Sequence, residues 1–97
     1  MNIARAKALI DALPMKELYS DCILALGEAD IDQPEEFEFF LQKIIDTLQN
    51  QHIRPLLVSL PKKLMSNPKA ILLQDILDKI AVEKNVDYIY EGKTTKL

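Results

Sequence analysis

Apolar residues recur along most of this chain at the spacing of an α-helix. The clearest stretch is Pro34–Gln49, where Phe37, Phe40, Leu41, Ile44, Ile45 and Leu48 fall at offsets 0, 3, 4, 7, 8 and 11. That set lines one face of a helix. Asp32 precedes it, with Glu35 three residues on. This is the spacing of a capping box, in which each side chain serves an amide the helix leaves unpaired. Pro34 falls in the first turn, where a missing N–H is harmless. A second helix is expected over Pro68–Lys84, with Asn67 as its N-cap. Its apolar face runs through Leu73, Ile76, Leu77, Ile80 and Ala81, widened by Ile71 and Leu72. Asn85 suits the left-handed residue that closes such a helix.

Three further stretches fit the same period. Ile3–Leu13 carries Ile3, Ala6, Leu9, Ile10 and Leu13, with Asn2 as a cap and Pro14 as a stop. Met15–Leu26 places Leu18, Cys22, Ala25 and Leu26 on one side and ends at Gly27. Arg54–Ser66 holds Leu56, Leu57, Leu60 and Leu64, with Pro61 marking a kink or two short turns. Val86–Glu91 is rich in strand formers and reads as a short extended segment packing Tyr88 or Tyr90 on the core. Two short echoes recur at offsets of 47 and 32, which disagree, so the chain is not a repeat array. The expected fold is all-α: a compact bundle of four to five short amphipathic helices with a short extended or disordered C-terminal tail. One helical domain spans residues 1–91, followed by a flexible tail over 92–97.

Composition narrows the classes. With 97 residues, 48% of them hydrophobic, the chain supports one core and not two. Its longest uncharged run is seven residues, far short of the roughly 18–20 apolar residues of a membrane span. Arg5 and Lys7 precede an apolar stretch of only three residues, Ala8 to Ile10. A signal peptide needs about 7–15, so a cytoplasmic location is expected. The single Cys22 cannot pair within the chain and reads as a small core residue in a reducing compartment.

Charge divides the chain. Residues 1–50 carry ten acidic and four basic side chains, net −6, whereas residues 51–97 carry five and eight, net +3. Most of the acidity lies in Glu28, Asp30, Asp32, Glu35, Glu36 and Glu38. Carboxylates gather at a helix N-terminus because the dipole favours them, and such a cluster can also steer a basic partner. Asp30 and Asp32 open like a calcium loop, but Pro34 stands where a third ligand is needed and the glycine is missing, so no metal is expected. Arg54, Lys62, Lys63 and Lys69 could meet phosphates. A pI near 5.1 and the absence of aromatic neighbours disfavour nucleic acid. His52 is the only histidine, and a Cys22–His52 dyad has no third group to orient it. No metal-binding, phosphate-cradling or nucleophile-elbow motif occurs, so neither an enzyme nor a cofactor is expected.

Phe39 lies between Phe37 and Phe40 and cannot share their face, which puts surplus aromatic surface on that helix. The expected function is therefore that of a small acidic, non-catalytic protein-interaction module. Adaptor, inhibitor or immunity-type protein and small chaperone are the classes of this size, binding a protein partner or a second copy. Glu35, Glu36, Glu38 and Phe39 are its candidate contact residues. The alternative is a nucleic-acid-associated regulator using Arg54, Lys62, Lys63 and Lys69.

Overall fold

The computed structural model describes residues 2–13 and 15–89. Three parallel strands run through it, which corrects the all-α expectation. In chain order the elements are α1 (Ile3–Ala12), a single turn α2 (Met15–Leu18), β1 (Asp21–Leu24) and a 3₁₀ turn (Glu28–Asp30). There follow α3 (Pro34–Asn50), β2 (Arg54–Val58), a second 3₁₀ turn (Lys62–Leu64), α4 (Pro68–Glu83) and β3 (Asp87–Ile89). The chain is an α/β protein built as β1–α3–β2–α4–β3, with the strands side by side in sequence order.

The helices expected at Pro34 and Pro68 form, each with its proline in the first turn. Asn2 and Asn67 cap α1 and α4 by accepting from the amides of Arg5 and Lys69. The capping box at α3 does not form. Gln33 holds the N-cap position without a side-chain cap bond, and Asp32 turns instead to Lys69 at 2.8 Å. Helix α3 closes at His52 (φ 61°) and α4 at Asn85 (φ 55°), both left-handed. The next amides, of Ile53 and Val86, then reach back to the carbonyls of Leu48 and Ala81. These are the hydrogen bonds of a Schellman stop.

Two of the expected helices are mostly something else. Met15–Leu26 is one helical turn followed by β1, and Arg54–Ser66 is β2 followed by a 3₁₀ turn. The physical reason is length. These strands carry apolar residues on both faces, and a run of four or five residues cannot separate a period of two from a helical one. Pro55 is compatible with the central strand because of where its nitrogen points. The amide of Arg54 donates to Ser20 on the β1 side, and that of Ser59 donates to Ile89 on the β3 side. Position 55 therefore faces β3, and the β2–β3 ladder starts only at Leu56 opposite Asp87. No ladder bond is lost. The extended segment expected near Val86 is β3, with Tyr88 half-buried against the core. Tyr90 and the tail over 92–97 lie outside the described residues.

Right-handed crossovers that step in the same direction twice put both helices on one face of the sheet. Accordingly α3 and α4 pack against each other over β2, and α1 packs against α3. Phe37, Leu41, Ile44, Ile45 and Leu48 of α3 are fully buried, together with Ile3 of α1, Leu57 of β2 and Leu73, Leu77 and Ile80 of α4. Gln74 of α4 ties the layers together. Its carbonyl accepts from the amide of Leu60 at 2.9 Å, and its amide donates to Asp78 and to the Tyr88 hydroxyl.

Asp30 has a structural task. It is the one buried charged side chain among the described residues, and its Oδ2 accepts from the first-turn amide of Ile3 at 2.9 Å. A carboxylate there answers the positive end of α1 and ties that helix to the turn after β1. Asp30→Ala should lower the unfolding free energy by about 1–3 kcal/mol, because it leaves a buried amide unpaired. Asp30→Asn, which keeps an acceptor, should cost less. Chemical denaturation of the three chains checks the order.

Candidate functional site

Strand residues alternate between the two faces of a sheet. Cys22, Leu24, Pro55, Leu57 and Tyr88 point toward the helices and are buried or half-buried. Asp21, Ile23, Arg54, Leu56, Val58, Asp87 and Ile89 point the other way, and no described element lies over them. Ile23 is 64% exposed and Ile89 39%, with Leu56 and Val58 half-buried between them. The register sets Ile23 opposite Leu56 and Val58 opposite Ile89, so the four form a contiguous apolar patch. Across the amino ends of the strands runs a charged row. Arg54 lies between Asp21 (Nε to Oδ1, 3.2 Å) and Asp87 (Nη1 to Oδ2, 3.4 Å).

Two hollows adjoin this patch. One, of about 190 Å³, sits at the carboxyl ends of β1 and β2 between Ala25, Leu26, Glu28, Val58 and Pro61. The other, of about 370 Å³, runs along the outer side of β1 and is bounded by Leu9 and Ile10 of α1 together with Ile23, Ala25 and Leu26. Ala25 and Leu26 line both. Nearby in the chain, Leu13, Leu18 and Tyr19 also expose apolar surface. Comparison with known protein families and with curated proteins finds no match to this chain.

The residues singled out from the sequence fall in three places. Glu35 and Glu36 are exposed in the first turn of α3. Glu38 is half-buried and pairs with Lys79 of α4, and that contact holds the Lys79 amine above its ordinary range. Glu35, Glu38 and Lys79 share a cleft of about 420 Å³ with Leu72, Asp75 and Ile76. Phe39 is 56% exposed, stands edge-on to Phe40 and carries the Lys43 ammonium 5.3 Å above its ring. The structure thus brings Glu35 and Glu38 together and leaves Phe39 on the outer side of α3.

The basic residues do not gather on one element. Arg54 is at the amino end of β2, Lys62 and Lys63 follow its carboxyl end, and Lys69 opens α4 in contact with Asp32. Arg54 is already engaged by two carboxylates. Asp30 and Asp32 part company, the first buried against α1 and the second on Lys69, which removes the calcium-loop geometry. Among the described residues no group of three or more His, Cys, Asp or Glu is placed to hold a metal ion, and no helix is long and apolar enough to cross a membrane. Cys22 is half-buried on the helix-facing side of β1, where burial pushes its thiol pKa up. His52 is exposed in the α3–β2 connection, and no hydrogen bond joins it to Cys22.

The open sheet face escaped the sequence reading because it depends on strand register. Its one legible trace was the pair of isoleucines in short β-rich stretches, Asp21-Cys-Ile-Leu and Asp87-Tyr-Ile, each led by an aspartate.

Proposed function

We propose that this chain works by binding another protein. The observation that supports this reading best is the uncovered apolar face of the parallel sheet. All-parallel sheets in folded proteins are covered on both sides, because their strands are apolar on both sides. Here Ile23, Leu56, Val58 and Ile89 form such a second side with no described element over it. A continuous apolar patch rimmed by charge is the surface a protein partner covers. The charge row Asp21–Arg54–Asp87 at one end supplies a polar rim that fixes orientation. This face is a better anchor than Phe39, a single exposed ring that packs edge-on against Phe40 and is partly shielded by Lys43.

The test is capture of a stoichiometric protein partner from the native cells by the tagged chain. Leu56→Lys should abolish the capture, since the central position of the open face then carries a charge that must be desolvated. Phe39→Ala should leave both capture and melting temperature nearly unchanged, as expected of an exposed side chain away from the anchor. Loss of binding by Phe39→Ala with retention by Leu56→Lys would move the site to α3. Recovery of the wild-type chain without any protein would remove the reading.

A further inference from the structure

The outer edge of β1 has the features of a strand acceptor. The amide of Arg54 donates to Ser20, and Arg54 stands opposite Asp21 in the register. In a parallel ladder this means that Ser20, Cys22 and Leu24 direct their backbone groups toward β2. Asp21 and Ile23 therefore direct their N–H and C=O groups outward, where no described strand pairs with them. Natural edge strands are blunted with charge, proline or a covering element. The middle of this one carries Ile23. Beside it lies the 370 Å³ hollow, bounded by Leu9 and Ile10 on one side and Ile23, Ala25 and Leu26 on the other. An added strand would set alternate side chains into that hollow.

Charge selects the occupant. Glu17 precedes β1 and Glu28 follows it, both exposed, within the half of the chain that carries net −6, while Asp21 at the start of the strand is paired with Arg54. A second copy pairing along the same edge would bring two such sets together. A cationic segment would be attracted to both ends of the edge. We propose that β1 accepts an extended partner segment bearing lysine or arginine and alternating apolar residues, which joins the sheet as a fourth strand. This rests on the protein-binding reading above and specifies the mode of contact. Backbone hydrogen bonds supply affinity, and the apolar hollow together with the carboxylates that precede and follow the strand supplies selectivity.

The probe is an eight-residue peptide of alternating valine and lysine, titrated into the isotopically labelled full chain and followed by NMR. A valine–glutamate peptide of the same length is the control. The cationic peptide should bind, weaken about tenfold from low to high salt, and slow hydrogen exchange at the Ile23 amide. Ile23→Pro removes an outward donor without touching the β1–β2 ladder, so it should abolish peptide binding while the chain stays folded. The double reversal Glu17→Lys with Glu28→Lys alters only exposed positions, and it should exchange the preference from the cationic to the acidic peptide.

Equal binding of the two peptides by the wild-type chain, or contact away from β1, would overturn the proposal. Concentration-dependent protection of the Ile23 amide without peptide would overturn it in favour of a second copy. If Ile23→Pro still captures the cellular partner, the strand-addition mode fails and the binding function stands. If the wild-type chain captures no partner, the binding function fails whatever the peptide does.

Discussion

Gly27→Ala should lower the unfolding free energy by about 2–4 kcal/mol, a large share of a small domain's stability. Two costs add. Gly27 has φ 125° and ψ −30°, a conformation that a residue with a Cβ rarely adopts. A Cβ built there would also stand 2.9 Å from Leu60 Cδ2 and 3.6 Å from Leu73 and Phe37. Leu60 cannot withdraw freely, because its side chain is buried and its amide is held by Gln74. The turn at Gly27 carries the chain from β1 over the core and into the 3₁₀ turn that places Asp30 under α1. Loss of the turn therefore loosens α1 as well as the sheet. Thermal unfolding of the variant checks the magnitude. Wild-type stability in Gly27→Ala would mean that this backbone conformation is not adopted.

Leu57→Ala should cost about 2–5 kcal/mol, whereas Leu56→Ala should cost only about 1 kcal/mol. The two residues are neighbours in the central strand. Leu57 is fully buried under the helices, while Leu56 is half-buried on the open face. Truncating Leu57 leaves a cavity in the one core to which it belongs, and little can collapse into it. Truncating Leu56 removes methyl groups already in contact with water. The contrast also tests the secondary structure. In a helix, adjacent residues lie about 100° apart, so two neighbours can both border the buried face and comparable costs would be ordinary. In a strand they point in opposite directions. Urea denaturation of both variants decides it, and equal costs would contradict the strand.

The pattern of apolar positions located α1, α3 and α4 because each of these is long enough for the helical period to repeat. Ile3–Ala12, Pro34–Asn50 and Pro68–Glu83 each offer several turns and a cap or a proline at the start. Strands β1 and β2 were hidden in runs of four and five residues, whereas β3 was legible as an extended segment rich in strand formers. In Arg54-Pro-Leu-Leu-Val-Ser-Leu-Pro, the leucines at 56, 57 and 60 imitate a helical face. The two prolines that bracket the run were the better clue, since they suit a strand entry and the turn that leaves it. Asp30 offered no signal of its own. It sat in a run of acids, and only the approach of α1 separates it from the exposed Asp32.

Three helices, the Asn2 and Asn67 caps of two of them, the apolar composition of one core and the division of charge between the halves follow from the amino-acid order. These are local properties, decided by residues within a few turns of one another. Tertiary structure alone decided that two supposed helices are strands, that the sheet is parallel, and that its helices lie on one side. It also decided which carboxylate is buried and which apolar residues face away from the core. The reason is that a short strand has no stability of its own. Its conformation comes from neighbours some thirty residues away, such as Cys22 beside Pro55 and Leu57 beside Tyr88, and sequence periodicity carries no record of them.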